Sequence, residues 1–164
     1  MDTLTVAERS RHMSRIRSKD TTPELRVRKL LHCLGYRYRL HRRDLPGKPD
    51  LVFSGRSKVV FVHGCFWHAH RDCKVANKPK THRRYWNEKF RLNIKRDLQN
   101  VSQLQAQGWE VCVVWECEVR RDEALVGEKL VKFLGLPGSW NRTRGEGRGP
   151  AWVSKSTKDK VKKN

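Results

Sequence analysis

This chain of 164 residues lacks long apolar runs and is poor in acidic residues. No segment approaches the roughly 18 consecutive apolar residues of a membrane-spanning helix. The N-terminal sequence MDTLTVAERSRHMSR lacks the apolar run of a signal peptide. These absences argue against membrane-spanning and secreted proteins, and we expect a cytoplasmic protein with no membrane partner.

Acidic side chains number 17 against 37 Lys and Arg, which gives a formal net charge of +20. Eight of the basic residues and two of the acidic ones lie in residues 139–164, so this tail carries +6 and the remainder +14. The body of the protein is therefore basic as well as its tail. A field of this sign attracts polyanions. It favours nucleic acid as the partner, with an anionic membrane surface as the weaker alternative.

The five cysteines are an odd number and cannot all form disulfides within the chain. In a reducing compartment, clustered cysteines bind metal more often than they pair. Cys65, His70 and Cys73 form a C-x4-H-x2-C pattern, and Cys117 follows a predicted strand as Cys65 does. Three thiolates and one imidazole would fill the tetrahedral shell of a structural Zn²⁺. The alternative is small buried thiols beside a surface histidine.

Apolar periodicity predicts one α/β domain over residues 21–138, with a mixed central sheet flanked by helices. Thr21 and Glu24 have the spacing of a capping box at the start of a helix. Strands are predicted in DLVF, KVVFV and WEVCVVWEC, and in the last of these the alternate residues from Trp109 to Cys117 should share one buried face. Residues 139–164, rich in Arg, Gly, Lys and Ser, are predicted to form a basic, disordered tail.

A long helix is predicted from Thr81 to Gln107, followed after the last strand by a final helix that ends before Gly135. The inward-facing stripe of the long helix is expected to consist of Phe90, Ile94, Leu98 and Val101.

Asp50 enters the first strand of the hairpin DLVFSGRSKVVFVHG and His63 leaves the second, so both are expected at one end of the sheet. His68 follows five residues later. Phosphodiester hydrolysis needs an oxygen ligand for a hard cation and a base for the attacking water, and imidazole accepts protons near neutral pH. The ordinary alternatives are a turn-forming Asp after Pro49 and a histidine that is solvated or is a spare zinc ligand.

Several motifs carry a resemblance to a known family. Between Arg9 and Gly135 the chain contains, in order, HMSRIRSKDTTPE, LPGKPDLVF, VVFVHGCFWHAH, DCK, YWNEKFRLNIKRD, GW and VVWECE. In these motifs, and above all in HGCFWH followed by H-x2-C and a late WEC, it closely resembles the very-short-patch-repair (Vsr) mismatch endonucleases.

The resemblance implies a fold similar to that of PD-(D/E)xK restriction endonucleases, although FVH, which ends in His63, replaces the second part of their signature. It implies a Mg²⁺-dependent endonuclease that nicks one strand of double-stranded DNA on the 5′ side of the mismatched thymine in a T:G pair. Such pairs arise when 5-methylcytosine deaminates, which implies a bacterial host and a nucleoid-associated protein. A monomer is also implied, with mismatch-repair proteins as candidate partners.

The family's catalytic residues map onto five positions. The resemblance implies that Asp50 and the backbone carbonyl of Val62 ligate Mg²⁺. It implies that His63 orients a water or phosphate at that metal, that His68 is the general base, and that Glu24 supports the water network. Val62 stands where the family usually has threonine, which keeps the carbonyl and loses the hydroxyl. Glu24 also fits the capping box, so both roles stay open.

Phe66 and Trp67 form an apolar pair between a zinc candidate and the candidate base. The residues alone allow either core packing or exposed rings that unstack DNA. The resemblance favours insertion into DNA, together with Trp86. The other DNA-contacting residues that it implies are Met13 and Ile16, in an N-terminal segment of residues 1–20, and Lys89 and Asn93 on the long helix.

Two other functions stay open at this point. One is a zinc-stabilised DNA-binding module that recognises mismatches without cutting. The other is a nuclease that cuts paired DNA or RNA without preference for a mismatch. The presence of Asp50, His63 and His68 together favours an endonuclease, because binding alone requires none of them.

Overall fold

The computed structural model describes residues 19–77, 79 and 81–138, and its centre is a four-stranded mixed sheet in the order β1-β2-β3-β4. The strands are β1 (Arg39–Leu40), β2 (Leu51–Phe53), β3 (Lys58–His63) and β4 (Glu110–Trp115). The helices are α1 (Thr22–Cys33), α2 (Arg83–Ala106), α3 (Glu116–Arg121) and α4 (Glu123–Leu134), with a 3₁₀ turn at Ser54–Arg56. The mixed α/β class that the sequence predicts is confirmed.

The type of strand pairing changes once across the sheet. β1, β2 and β3 pair antiparallel through short connections, whereas β3 and β4 pair parallel and are joined by the crossover that contains α2. The parallel register sets His63 opposite Trp115. The C-terminal ends of β3 and β4 therefore lie side by side, next to the start of β2.

The two faces of the sheet bury separate apolar clusters. One face packs against α1, α3 and α4, and its buried members include Leu31, Val60, Val114 and Leu130. The other face packs against α2 and contains Leu45, Val52, Val59, Phe61 and Leu104. Because side chains alternate along a strand, His63 and Trp115 continue the α2 face beyond Phe61 and Val113.

The capping box predicted at the start of α1 is wrong. Thr21 is the N-cap residue, but its side chain makes no capping hydrogen bond. The Glu24 carboxylate is only 2% exposed and is hydrogen bonded to the Arg28 guanidinium four residues later. Glu24 therefore points into the protein instead of back to the first turn.

The inward stripe predicted for α2 is right for Phe90 but wrong for Ile94 and Leu98, and the predicted helix limits are within two residues of the observed ones. Ile94 is 42% exposed and Leu98 is 66% exposed. The buried residues of α2 are Trp86, Phe90, Asn93 and Leu104. The true inner face includes polar side chains, which apolar periodicity does not detect.

The strand predicted through Cys117 ends earlier than expected. Trp115 closes β4, and Cys117 lies in the first turn of α3, a helix that the sequence did not predict. Trp109 and Trp115 are partly exposed, so the prediction that this face is buried is wrong for both rings. None of the helices in residues 19–77, 79 and 81–138 has the length and apolar character needed to span a membrane.

Candidate active site and metal centre

One edge of the sheet gathers most of the predicted site residues. Asp50 immediately precedes β2, His63 ends β3, and Trp115 ends β4. Antiparallel pairing of β2 with β3 brings the start of the first to the end of the second. Beyond His63 the chain enters a loop, residues 64–77, that continues the same edge. The hairpin argument from the sequence therefore describes the fold correctly.

Four predicted ligands form a compact cluster in and beside this loop. Ligand atoms of Cys65, His70, Cys73 and Cys117 all lie within 4.8 Å of one another. His70 Nδ1 lies 3.6 Å from Cys65 Sγ and 3.4 Å from Cys117 Sγ. Tetrahedral Zn²⁺, with bonds of about 2.3 Å to sulfur and ~2.0 Å to nitrogen, separates such atoms by about 3.5 Å. The cluster therefore has the dimensions of a closed metal site.

The protonation of the sulfurs also fits a cation at the centre of this cluster. Burial raises the pKa of the Cys65 thiol to about 12, so it is protonated at neutral pH unless a positive charge adjoins it. Burial also opposes ionisation of Cys73, but hydrogen bonds with the N–H groups of Val75 and Ala76 and with the side chains of His70 and Cys117 together outweigh it and lower its pKa to about 7. The backbone N–H of Cys117 donates to Cys65 Sγ at 3.3 Å. Such bonds stabilise thiolate ligands.

The loop itself is tightly wound. His68 N donates to Gly64 O at 3.2 Å and His70 N to Cys65 O at 3.0 Å. Ala69 and Asp72 have φ values of 46° and 52°, a region that side-chain-bearing residues adopt at a cost of roughly 1–2 kcal/mol each. Ligation by a metal on both sides of these residues would offset that cost.

A pair of carboxylates, Glu24 buried and Asp50 half-buried, lies at the N-terminal end of β2. Asp50 Oδ2 accepts a 2.7 Å hydrogen bond from the Val62 N–H. Burial raises the pKa of the Asp50 carboxyl to about 6, the Val62 N–H opposes this shift, and the charge of Glu24 adds to it. Two carboxylates that repel each other in a buried position are a favourable setting for a divalent cation.

His41 and Arg28 connect these two carboxylates. His41 Nε2 lies 3.1 Å from Glu24 Oε1, and His41 Nδ1 lies 3.9 Å from Asp50 Oδ1. Arg28 donates to His41 Nε2 at 2.7 Å and also binds Glu24. Asp20 pairs with the same guanidinium at 2.6 Å. The acidic end of the site therefore contains its own cation, which balances Glu24.

The histidine pair lies on the other side of the site. The rings of His63 and His68 stack with centroids 3.8 Å apart and planes within 6°. Asp97, on α2, lies 2.5 Å from His68 Nδ1 through its Oδ2 atom. Burial, with the nearby charge of His68, lowers the pKa of His63 to about 3, so this ring is neutral at physiological pH. The charge of His68 in turn acts on Asp50.

The aromatic residues form a cluster between the loop and α2. Phe66 contacts the rings of Trp67, Trp86 and Phe90 with centroids 5.1–5.4 Å apart. Phe66 and Trp67 are half-buried, whereas Trp86 is 4% exposed and its Nε1–H has no hydrogen-bond partner among the described residues. Trp86 thus backs the two loop rings in the DNA-free protein and does not project from it.

The predicted DNA-contacting residues of α2 differ in their surroundings. Lys89 is exposed, but Asn93 is buried and donates through Nδ2 to the Trp67 carbonyl at 2.9 Å. Asn93 therefore anchors the loop, and contact of either residue with DNA stays a prediction. Met13 and Ile16 lie outside the described residues.

Sequence reasoning missed four residues of the site, namely Arg28, His41, Asp97 and Trp115. Only Asp97 left a usable signal. It follows Asn93 by one helical turn, and Phe90 precedes it by two turns, so it belongs to the inner face of α2. The partners of the other three are set by tertiary packing, which spacing along the chain does not reveal.

Comparison with known proteins gives consistent matches. The family model for DNA mismatch endonuclease Vsr matches residues 1–75. The type II nicking enzyme V.XorIIP of Xanthomonas oryzae pv. oryzae is 51% identical over 118 residues, which cover 72% of this chain and 86% of that protein. The type II nicking enzyme V.NmeAIP of Neisseria meningitidis is 43% identical over 133 residues, covering 81% and 94%. DNA mismatch endonuclease Vsr of Escherichia coli K12 is 41% identical over 128 residues, covering 78% and 81%.

Proposed function

This chain belongs to the Vsr family of DNA mismatch endonucleases, and we propose that it nicks one strand of duplex DNA on the 5′ side of the mismatched thymine in a T:G pair. Family membership makes the chain a DNA endonuclease and therefore a hydrolase. The substrate proposed here is the T:G pair left by deamination of 5-methylcytosine. The proposed metals are one catalytic Mg²⁺ and one structural Zn²⁺, in a monomer with a PD-(D/E)xK-like core.

One observation carries the catalytic proposal. A half-buried carboxylate, Asp50, lies at the same sheet edge as a histidine, His68, that is held by a second carboxylate, Asp97. A hydrolase that cuts phosphodiesters needs this combination of an oxygen ligand and an oriented base. A module that only binds DNA does not.

Asp50 and the backbone carbonyl of Val62 are the proposed Mg²⁺ ligands. Along a strand the N–H and C=O of one residue point to the same side, so the carbonyl shares the side on which the Val62 N–H meets Asp50. When bound, Mg²⁺ would neutralise charge that develops on the phosphate. Glu24, fixed by Arg28, is close enough to act on Asp50 and is proposed to hold water beside it.

His68 is the proposed general base. A hydrogen bond from Nδ1–H to Asp97 leaves the lone pair of Nε2 free to accept a proton from water. The water oxygen forms a bond to phosphorus and its proton moves to Nε2. The P–O3′ bond breaks and the departing O3′ takes a proton from solvent, which gives a 5′-phosphate and a 3′-hydroxyl. His63, neutral and stacked on His68, fixes the plane of the base and is proposed to orient the phosphate.

Phe66 and Trp67 are proposed to enter the base stack at the mismatch, and Trp86, which is 4% exposed, is proposed to support them from behind. Their mutual contacts make the three rings one block that is attached to the loop and α2. Separating a base step costs a few kcal/mol, and a mismatch lowers that cost because its stacking is already weak. Lys89, exposed one turn beyond Tyr85, is proposed to contact DNA near the mismatched pair.

The Cys65, His70, Cys73 and Cys117 cluster is the proposed Zn²⁺ site, and its role is structural. Four protein ligands leave no open position for water or substrate. Residues 65–73 include both rings of the loop and the base His68, so ligation would fix all three relative to the sheet edge.

The test is a nicking assay on matched duplexes that differ only at one T:G or T:A pair, with Mg²⁺ or with chelator. We expect one nick, 5′ of the mismatched thymine, only with T:G and Mg²⁺. Asp50→Ala should raise the activation free energy by several kcal/mol and slow nicking on the order of 10³-fold or more, with binding retained. Asp44→Ala removes an exposed carboxylate nearby and should leave nicking unchanged.

Two outcomes would contradict the proposal. Folded protein that binds the T:G duplex without nicking it would support the binding module. Equal cutting of both duplexes would support a nuclease without mismatch preference.

A further inference from the structure

We propose that Trp115 is a positioning residue that couples the Cys/His cluster to the catalytic histidine pair. This inference rests on the function proposed for His63 and His68. Trp115 is the last residue of β4 and lies two residues before Cys117. Its ring contacts the imidazoles of His63 and His70. Neither histidine is among the residues proposed to enter the DNA base stack. Its role would be exerted through these two neighbours.

The first contact is with a proposed metal ligand. The Trp115 ring stacks on His70 with centroids 4.0 Å apart and planes within 3°. His70 is the only imidazole of the four-residue cluster, and its Nδ1 atom faces the sulfurs of Cys65 and Cys117. The orientation of the ligand ring is therefore set by the tryptophan face.

The second contact is with the catalytic pair. The edge of Trp115 meets the His63 ring with centroids 5.4 Å apart and an interplanar angle of 77°. His63 in turn stacks on His68 at 3.8 Å. A continuous series of four rings therefore runs from the Cys/His cluster to the proposed base.

The backbone of Trp115 is held independently of the loop. Its N–H donates to Glu118 Oε2 at 2.7 Å, and Lys129 binds the same carboxylate at 2.9–3.0 Å. The parallel register fixes Trp115 opposite His63. The ring is thus a fixed surface between a loop ligand and a strand-end histidine, because helices α3 and α4 hold it in place.

Packing alone does not account for this ring. Trp115 belongs to neither apolar cluster of the described residues, whereas Trp109, on the same face of the same segment, packs against the α2-side cluster. Trp109 also lies under the Arg42 guanidinium, 5.9 Å from its ring centroid. The two tryptophans therefore provide a matched pair, in which Trp115 belongs to the ring series and Trp109 belongs to the packing of the α2 face.

The experiment compares Trp115→Leu, Trp115→Phe and the control Trp109→Phe in the full chain. Four quantities are measured: zinc per chain, the Kd for a T:G duplex, the single-turnover nicking rate, and the imidazole nitrogen NMR signals of His63 and His68. We expect Trp115→Leu to keep its zinc and a Kd within about threefold, and to nick about 10–100-fold more slowly. Its His63 and His68 signals should shift.

Trp115→Phe restores a flat ring and should recover most of the rate, while Trp109→Phe should change neither the rate nor the histidine signals. An unchanged rate and unchanged signals in Trp115→Leu would overturn the proposal. Loss of zinc from Trp115→Leu would also overturn it, since the ring would then be required for metal binding itself. If the wild-type protein does not nick T:G DNA but the histidine signals still shift in the zinc-loaded variant, the coupling stands and the proposed function fails.

Discussion

At the scale of single residues, Asp97 fixes the tautomer and the orientation of the His68 ring from outside the loop. Its carboxylate lies 2.5 Å from His68 Nδ1, so it selects the tautomer whose Nε2 can accept a proton. In the proposed mechanism it would also stabilise the imidazolium that forms when His68 takes a proton. Asp97 comes from α2, 29 residues beyond His68, so its value depends on the packing of that helix against the loop.

Asp97→Asn keeps the shape of the side chain but removes its charge. We expect the single-turnover nicking rate to fall by about 10–100-fold, with binding to the T:G duplex unchanged. Glu88→Gln makes the same chemical change on an exposed carboxylate of the same helix and serves as the control. A rate for Asp97→Asn equal to that of wild type would remove Asp97 from the catalytic site.

At the scale of elements, α2 connects the apolar core to the catalytic edge. Its C-terminal part inserts Leu104 into the core, and its middle presents Asn93 and Asp97 to the loop. Ile94 and Leu98 face outward instead. Leu104 is completely buried, so we expect it to contribute most of the stability that α2 provides.

Leu104→Ala is expected to lower the free energy of unfolding by roughly 2–5 kcal/mol, because it leaves a cavity in the α2-side cluster. Leu98→Ala, which the predicted stripe would rank as the more damaging change, should change it by less than about 0.5 kcal/mol, because Leu98 is exposed. Urea denaturation of both variants measures the difference. Similar losses of stability in the two variants would mean that the stripe inferred from periodicity is the buried one.

The loop of residues 64–77, which contains three of the four proposed zinc ligands, gives a second prediction at this scale. Cys117→Ser should lose its zinc and lower Tm by about 10 °C or more, since the energy of metal ligation contributes to folding. Cys112→Ser makes the same substitution in β4, outside the Cys/His cluster, and should keep its zinc. Metal analysis and thermal unfolding measure both results. A Cys117→Ser protein that stays fully folded without zinc would contradict this ligand set.

Local patterns predicted the elements better than they predicted their contacts. The predicted limits of α2 were within two residues of the observed ones, and the hairpin placed Asp50 and His63 at one edge. The Cys and His spacing predicted the cluster because three of its members lie within nine residues. Trp115 and His41 could not be predicted, since their neighbours come from separate elements. The outward turn of Leu98 was missed because polar residues occupy the buried face of its helix.

At the scale of the whole molecule, the distribution of charge indicates that affinity for DNA and recognition of a mismatch depend on different parts of the protein. The body carries +14 and residues 139–164 carry +6. Charge of this kind binds phosphates regardless of sequence and releases counterions on binding. Recognition of a mismatch is instead assigned to rings on the loop, at Phe66 and Trp67.

Removal of residues 139–164 should therefore weaken binding to T:G and T:A duplexes by the same factor. The slope of log K against log salt should become shallower by about 0.9 for each phosphate that the protein no longer neutralises. Binding titrations between about 50 and 200 mM salt measure both effects. A truncated protein whose preference for T:G over T:A falls would show that the tail takes part in recognition.

The parallel pairing of β3 with β4 has a consequence for transferring the proposed active site and its metal cluster to another scaffold. The sulfur ligands, the imidazole pair and the tryptophan between them come from neighbouring strand termini, and the crossover helix between those strands supplies Asn93 and Asp97. Residues 50–117, about two fifths of the chain, therefore contain the Cys/His cluster, the histidine pair and Trp115 in one contiguous segment, whereas Glu24 and the Glu118–Lys129 pair that holds Trp115 lie outside it. A graft of the loop alone would leave Cys117, Trp115 and Asp97 behind.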